Sequence, residues 1–446
     1  MASVTLSMNN FAHPLSTPPV KRNRNRKEKE AEGHIVKFLI TIFLILSGVC
    51  IMTICLSHPI LAFDGDISTL SDIKVPIYEE TNETQKIISE ADIKAWENKI
   101  IEKYKGKPVY FKTTGVAHIR TTKYINNMPI KINIVEINPN INPDLVIKPD
   151  TANQNLNARA KIKNIASRNN ALVAVNGGYF KPQTGVPLGS LMIDGVTLTG
   201  PIYNRVALGI TQSDAGTSFS MGRVELDIKL KNKIAEIKVD NINQPRMLST
   251  YTLLYTDKWG KISPAPPKYG ANALIQEGKI TKISASPIEI PSGAYVVSAP
   301  YSKIDELQKL KNLSLEINYP EQFKGSDHII GAGPFLLKDG KIYIDTAEEK
   351  LLSVGGKNPR SAIGYTEDNS LIIVTVDGRE KTSVGMTLNQ LASLMKSLGC
   401  ANAMNFDGGS STVMYIAGNV VNSPVNSGGV PISNALIVSE KKNQSI

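Results

Sequence analysis

The segment 371–412 decides the fold, and it contains LIIVTVDGRE (371–380) followed by TLNQLASLMKSLGCANAMNFDGGSST (387–412). The run 371–376 is rich in β-branched residues and predicts a buried strand. Apolar residues recur at helical spacing over 388–398, and Gly399 closes that stretch, which predicts a helix. The run 402–406 predicts a second strand. The segment therefore reads as a β-α-β unit.

Polar residues follow the strands of this unit where each strand ends. Asp377 follows the first strand and Asp407 follows the second. If the strands are parallel and joined by a right-handed crossover, their carboxyl ends lie at one edge of the sheet, where open sheets bind ligands. The two aspartates would then share a cleft. A predicted helix over 157–168 and a strand over 171–175 lead in the same way to Asn176.

Glycines come directly after the polar residues at these strand ends. They permit positive φ and let backbone amides approach a ligand, so the loop after Asp407 could cradle an anion with amides and hydroxyls. Asp-Gly and Asn-Gly pairs are also common tight turns, but three such loops at one predicted edge favour a site. The loop residues predicted to bind substrate are Gly177, Gly178, Gly408, Gly409, Ser410, Ser411 and Thr412.

Two further segments add charge and turns to the predicted cleft. Arg360 follows Pro359 just before the strand 371–376, and a held arginine suits a bidentate grip on phosphate, although a solvated surface arginine is the plain alternative. Arg379 follows Asp377 in VDGR. Gly333 lies in a Pro-interrupted turn that is too short for a dinucleotide-binding loop, and we expect this turn to line the cleft.

Short β-branched runs, such as 130–137 and 294–297, are separated by Gly, Pro and Asn turns. The predicted fold class is α+β: a mixed, β-sheet-rich domain with β-α-β elements over 107–440. We expect the segment 58–106 to be a stalk with a lead-in helix near 83–104.

A single transmembrane helix is predicted to precede this domain. The stretch 38–56 has 19 residues without a charge, and a helix of that length spans ~28 Å, close to the thickness of a bilayer core. The basic tail 1–34 before it predicts a single-pass signal-anchor at 35–57, with a cytoplasmic N-terminus and the domain outside the cell membrane. A cleaved signal peptide is the alternative, but the apolar stretch is long for one.

Composition excludes several classes of protein. The formal net charge is +10, but residues 1–37 already hold seven Lys or Arg against three Glu, and the rest is spread thinly. No later stretch combines basic and aromatic residues as a nucleic-acid binder would, so nucleic acid is not an expected partner. Cys400 is the one cysteine after the apolar stretch, so no disulfide can form within the domain. We expect Cys400 to be inert core packing.

The order of motifs resembles that of the phosphodiester glycosidase family over roughly 114–440. The motifs are NGGYF (176–180), PLGSLMIDG (187–195), GAGPFLLKDG (331–340), NPRSAIG (358–364), VDGR (376–379) and NFDGGSST (405–412). The family includes the uncovering enzyme that removes N-acetylglucosamine from a phosphodiester, and bacterial surface proteins associated with exopolysaccharide. The chain departs from the pattern at 429–430, where Gly-Val replaces a Glu-Arg pair.

The resemblance implies a catalytic domain that hydrolyses a sugar-1-phosphodiester within cell-surface or extracellular glycans. The departing phosphate monoester, with a second pKa of about 6, is a good leaving group, so charge stabilisation matters more than a strong general acid. We expect Asp407 to act as the catalytic carboxylate with Asp377 as its partner. Arg360 and the loop after Asp407 would bind phosphate, and Asn176 would bind the sugar.

Three alternatives remain at this stage. Asp377 and Asp407 could hold a divalent cation, although no histidine accompanies them at ligand spacing, so no metal or cofactor is the favoured expectation. The hydrolysis could break the P–O bond rather than the C–O bond. The chain could also be a non-catalytic exopolysaccharide-binding or assembly protein with the same fold, which the missing Glu-Arg pair would fit.

Overall fold

The computed structural model describes residues 88–441 except 154, 214 and 215. The predicted tail, the predicted signal-anchor and the first part of the predicted stalk, 58–87, lie outside the described residues. Within the part that is described, no helix is both long and apolar enough to cross a membrane. The described residues belong to one compact unit, which is mostly β-sheet with few helices.

Strands and helices are numbered along the described chain. The helices are α1 (Glu90–Lys103), α2 (Ile162–Arg168), α3 (Tyr301–Gln308) and α4 (Leu388–Ser397). The largest sheet has eight strands, in the order β1 (Val109–Thr113), β2 (Val116–Ile125), β3 (Met128–Ile137), β22 (Leu371–Val376), β21 (Arg360–Thr366), β23 (Cys400–Asn405), β19 (Phe335–Lys338) and β20 (Lys341–Ile342).

Four smaller sheets complete the unit. One has the order β25 (Asn419–Val420), β24 (Met414–Ile416), β5 (Val173–Asn176), β26 (Asn434–Glu440) and β4 (Leu145–Thr151). A second has the order β7 (Val196–Thr199), β6 (Leu191–Ile193), β18 (His328–Gly331), β8 (Val206–Ser213) and β9 (Gly216–Arg223). A third has the order β12 (Asn241–Ile242), β13 (Leu253–Thr256), β16 (Tyr295–Pro300), β14 (Gly270–Gln276) and β15 (Lys279–Ser284). The fourth is β11 (Glu236–Val239), β10 (Asp227–Lys231) and β17 (Ser314–Asn318).

The eight-stranded sheet is buried on both faces, which explains the continuous apolar run in β22. Ile372 and Val374 pack toward the core that α1 and α4 cover, whereas Leu371 and Ile373 pack toward the core shared with β5 and β8. Alternate residues of a strand point to opposite faces, so a strand covered on both sides must be apolar throughout.

The predicted β-α-β unit is present, but its strands are not neighbours. β22 and β23 both pair antiparallel with β21, which lies between them, so they run in the same direction two strand positions apart. β21 and β22 form a hairpin in which Arg360 pairs with Val376. The start of β21 and the ends of β22 and β23 therefore lie at the same edge of the sheet.

The helices differ from prediction at their N-terminal ends. The helix predicted over 157–168 begins at Ile162, because the backbone of Ala160 pairs with Ile432 in an isolated bridge. The helix predicted near 83–104 is α1, which begins after the Ser89 cap and packs Trp96 and Ile100 against the eight-stranded sheet. This helix is thus part of the core of the sheet. Cys400 is buried there, and burial raises its pKa to about 12.

Candidate active site

Asn176 joins the ends of strands from two sheets. Its side-chain Nδ2 donates to the backbone oxygen of Asp407 over 2.6 Å, and its Oδ1 accepts from Ser361 Oγ over 2.6 Å and from the Val413 amide over 3.1 Å. Asn176 is only 1% exposed. Its side chain therefore ties β21 to the segment 406–413, which carries Asp407.

Asp407 lies at the centre of this cluster, where its side chain is only partly exposed. Burial raises the pKa of Asp407 to about 6, against the opposing effects of hydrogen bonds from Ser411 and the Gly408 amide and of the charge on Arg205. The Gly408 bond is 2.9 Å long. A carboxyl group with a pKa near 6 can exchange a proton near neutral pH, which suits general acid or base catalysis.

Tyr179 and Arg205 are site residues that the sequence analysis did not select. The Tyr179 hydroxyl donates to the Gly333 oxygen over 2.8 Å and accepts from Asn405 Nδ2 over 3.1 Å. The Arg205 guanidinium carbon lies 4.9 Å from the centre of the Tyr179 ring, a cation–π arrangement. Burial raises the pKa of Tyr179, and the nearby charge of Asp407 raises it further. Tyr179 therefore remains a protonated donor at neutral pH.

A sequence signal existed for both residues. Tyr179 belongs to NGGYF, the motif whose first three residues are predicted site residues. Arg205 is a single charge directly before the apolar strand β8. It is 8% exposed and donates through Nε to the Glu349 backbone oxygen over 3.2 Å. A buried arginine at a strand start is costly unless it serves a site or a structural pair.

The predicted glycine loops lie against neighbouring backbone. A Cβ on Gly178 would be 2.2 Å from the Gly331 oxygen, so this position needs glycine for close approach. The Gly177 amide donates to the Asn434 oxygen over 3.0 Å. Gly409 has a φ of +60°, and a Cβ there would lie 3.1 Å from Arg379 Nη2. The loop after Asp407 is thus directly beside an arginine side chain.

The hydroxyl residues of this loop differ in exposure. Ser410 is exposed, whereas Ser411 and Thr412 are buried. Thr412 Oγ1 is a buried polar atom without a hydrogen-bond partner among the described residues. Buried hydroxyls in native proteins are normally paired, so this unpaired one is typical of a position that a buried water occupies.

Arg360 and Arg379 add positive charge beside the loop that follows Asp407. Arg360 is 2% exposed, and it donates to the backbone oxygens of Val354 and Gly356 over 2.8 Å each and of Met386 over 3.0 Å. Within the described chain it forms no ion pair. Burial lowers its pKa, and the charge of Arg379 adds to this. A buried cation without a counter-ion favours an anionic ligand nearby.

Arg379 is exposed and adopts a φ of +64°. Its Nη2 donates to Asn358 Oδ1 over 2.9 Å, which holds the guanidinium beside Gly409. Arg205, Arg360 and Arg379 therefore all lie near the Asp407 loop.

Asp377 has partners of its own, separate from those of Asp407. Its Oδ1 accepts from the Ser423 amide over 2.9 Å and from Asn422 Nδ2 over 3.3 Å, and burial raises its pKa. It lines a cavity of about 490 Å³ that Asp407 does not line. β21 lies between β22 and β23 and places the ends of these two strands about 10 Å apart at one edge of the sheet. The cleft shared by the two aspartates stays a prediction.

The alternative of a divalent cation at Asp377 and Asp407 requires a group of ligand side chains. Over residues 88–441, apart from the three undescribed positions, no group of three or more His, Cys, Asp or Glu is arranged to hold a metal ion.

Comparisons with known proteins agree with the fold. The chain is 39% identical over 101 residues to the SPbeta prophage-derived uncharacterized protein YomE of Bacillus subtilis, a match that covers 22% of this chain and 15% of that protein. A crystal structure of a hypothetical protein from Synechocystis aligns with a TM-score of 0.67 at 24% identity, covering 75% of this chain and 64% of that one. A putative exported protein from Burkholderia pseudomallei K96243 aligns with a TM-score of 0.58 at 20% identity, covering 70% and 74%.

A family model described as phosphodiester glycosidase matches residues 269–439. This range contains Arg360, Asp377, Arg379 and Asp407, whereas Asn176, like Tyr179 and Arg205, lies before it. The resemblance seen in the sequence is thereby confirmed for residues 269–439, which match the phosphodiester glycosidase family model.

Proposed function

We propose that this protein hydrolyses a sugar-1-phosphodiester in cell-surface or extracellular glycans, releasing a reducing sugar and a phosphate monoester. The observation that supports this proposal most is the partly buried carboxyl of Asp407, with a pKa of about 6, beside a glycine loop and three arginines. Carboxylate and concentrated positive charge together match the two demands of the reaction: an oxocarbenium-like centre and a departing phosphate.

The proposed step is a displacement at the anomeric carbon. Water adds to C1 while the bond from C1 to the phosphate oxygen breaks, and both electrons of that bond leave with the phosphate. Ionised Asp407 accepts the proton of the attacking water or stabilises the positive charge on the sugar ring. Arg205, Arg360 and Arg379 stabilise the charge on the phosphate, which leaves without needing a strong acid because its second pKa is about 6.

Other roles follow from the observed contacts. Asn176 is buried and uses its amide to hold the Asp407 loop, so we assign it a positioning role. The exposed hydroxyl of Ser410 is available to phosphate oxygens. We also propose that 38–56 anchors the protein in the cell membrane with this site outside, where such glycans are found.

A non-catalytic glycan-binding protein is the second candidate. Gly429 and Val430 stand where the family pattern has Glu-Arg, and a Cβ on Gly429 would already lie 3.0 Å from Val413 Cγ2. A charged side chain does not fit there without rearrangement. The three arginines around Asp407 come from other segments, however, so phosphate binding does not depend on that position.

Turnover separates the two candidates. The full-length chain in detergent is incubated with N-acetylglucosamine-1-phosphate methyl diester and with analogues carrying other sugars, and reducing sugar is measured. Wild type should release sugar, and Asp407→Asn should lose about 10²–10⁴-fold in kcat, the usual contribution of a positioned acid or base. Asp305→Asn, at an exposed position on α3, is the matched control and should retain wild-type activity. Binding of these diesters by wild type without any release would support the second candidate.

A further inference from the structure

A cavity lies near the proposed active site, beside the middle of β2 and β3 and the end of β22. Its volume is about 490 Å³, within the usual range for small-ligand sites. The lining residues that matter for its chemistry are Lys107, Arg120, Lys131, Asn133, Asp377 and Ser423. The proposed reaction gives this cavity no role. Asp377 forms part of its wall.

Strand register places these polar residues on one face of the sheet. Arg120 pairs with Asn133 across β2 and β3, and Lys131 pairs with Thr122 in the neighbouring row. The Asp377 amide donates to the Lys131 oxygen over 3.0 Å, which brings the end of β22 into that row. Further along the same face of β3, Val135 belongs to the apolar core. The face therefore changes from apolar to cationic where it meets the cavity.

The charge of the cavity is positive and uncompensated. Lys107, Arg120 and Lys131 form no ion pair with any described residue, although Lys131 Nζ donates to Thr382 Oγ1 over 3.1 Å. Asp377 supplies one negative charge, and that carboxylate already accepts two N–H bonds from Asn422 and Ser423. Glu380 adds a negative charge near Asp377 from outside the lining. The lining itself holds three cations and one carboxylate, which leaves a net attraction for an anion.

The side chain of Asn422 connects the wall of the cavity to the loop that follows Asp407. Asn422 Nδ2 contacts both Asp377 Oδ1 over 3.3 Å and the Thr412 backbone oxygen over 3.2 Å. On the opposite side, Arg379 is two residues from Asp377, a backbone distance of at most ~7 Å, and it lies against Gly409. A single residue, Gly378, thus separates the cavity wall at Asp377 from the arginine at the predicted phosphate position.

We propose that this cavity binds the phosphate of the adjacent repeat in a phosphodiester-linked glycan, so that the protein binds a polymer more tightly than an isolated sugar phosphodiester. This inference rests on the proposed function, because it extends the same substrate past the cleaved bond. Asp377 then positions the cavity wall and does not take part in bond breaking.

Binding of defined oligomers tests the inference. The full-length chain is titrated by calorimetry with a hexamer of glycerol phosphate, with hexagalacturonate and with neutral maltohexaose. In Arg120→Gln/Lys131→Gln, the dissociation constant for the glycerol phosphate oligomer should rise about tenfold or more, the usual effect of losing charge-assisted hydrogen bonds. The charge-matched control Lys279→Gln/Lys282→Gln, on the exposed strand β15, should bind like wild type. Thermal unfolding of both variants verifies that each is folded.

Each outcome decides one part of the proposal. Weaker binding of the phosphate oligomer in the Arg120/Lys131 variant alone supports it, and equal loss for hexagalacturonate shows that the cavity takes any anionic glycan. Equal binding by the two double variants overturns it. Release of sugar from the small methyl diester is measured in parallel. If that release is absent while binding depends on Arg120 and Lys131, the proposed hydrolysis fails and the anionic site stands. If release is normal and binding is unaffected, only the cavity inference fails.

Discussion

Asp377 and Asp407 share the same local sequence pattern but have different surroundings in the folded protein. Each follows a buried strand of the same sheet and precedes glycine, and burial raises the pKa of both carboxyls. Asp407 lies among arginines, the Tyr179 ring and a hydroxyl-rich loop. Asp377 is instead satisfied by Asn422 and Ser423 in the wall of a lysine-lined cavity. The comparison teaches that the Asp-Gly pair places a carboxylate, whereas distant segments decide what it can do.

The largest expected difference between the two aspartates is in turnover. We predict that Asp407→Asn lowers kcat by about 10²–10⁴-fold on a small sugar-1-phosphodiester, whereas Asp377→Asn lowers it by less than about tenfold. The reason is that Asp377 contacts the cavity wall and not the predicted reaction centre. Steady-state kinetics of the two variants measure this. Equal losses would place Asp377 in the reaction after all.

The next largest effect is expected in the stability of a variant at Gly178, which lies against neighbouring backbone. Gly178→Ala would put a Cβ 2.2 Å from the Gly331 oxygen, and such overpacking typically costs about 1–3 kcal/mol in the free energy of unfolding. Gly355→Ala is the matched control, because its nearest atom would be 3.8 Å away. Denaturant unfolding of both variants measures the cost. A Gly178 variant as stable as the control would contradict the described packing.

The pH dependence of stability should report the raised pKa of Asp407. The pKa of Asp407 is about 6 in the folded protein, against an ordinary value of 3.8, so the folded state holds the proton more tightly. An acid with a raised pKa destabilises the fold as pH rises through the interval from about 4 to 6, by up to about 3 kcal/mol. Asp407→Asn removes this cost.

The variant should therefore gain stability relative to wild type at pH 7.5 and not at pH 4. Denaturant unfolding at the two pH values tests this, with Asp305→Asn as the exposed control. A stability difference between Asp407→Asn and wild type that does not change with pH would mean that Asp407 titrates normally.

The smallest effect is expected for Arg205→Lys. Lysine keeps the charge near Asp407 but loses the planar stacking on Tyr179 and the Nε bond to the Glu349 oxygen, interactions worth about 0.5–2 kcal/mol together. We expect KM to rise several-fold with a smaller change in kcat. An unchanged KM would remove Arg205 from the phosphate-binding set.

Much of the sheet-and-helix pattern could be read from the sequence. The strand 371–376 and the helix from 388 are observed where periodicity predicts them, because both elements are long and strongly patterned. The parallel direction of β22 and β23 was also predictable. What could not be read was that β21 lies between them, since the sequence does not show which strands pair.

The site could be predicted only in part for the same reason. Asn176, Ser361 and Asp407 meet because two sheets converge, and the polar strand ends gave a signal for two of the three. Arg205 gave only a weak signal, since a single arginine before a strand is usually a surface residue. The separation of Asp377 from Asp407 depends on strand order, which local patterns do not encode.

The fate of the oxygen atom tests the central claim most directly. The full-length chain is incubated with a sugar-1-phosphodiester in isotopically labelled water, and the products are weighed by mass spectrometry. Attack at the anomeric carbon beside Asp407 predicts label in the released sugar and none in the phosphate monoester. Label in the phosphate product, or no products from any sugar phosphodiester supplied, would contradict the proposed glycosidase.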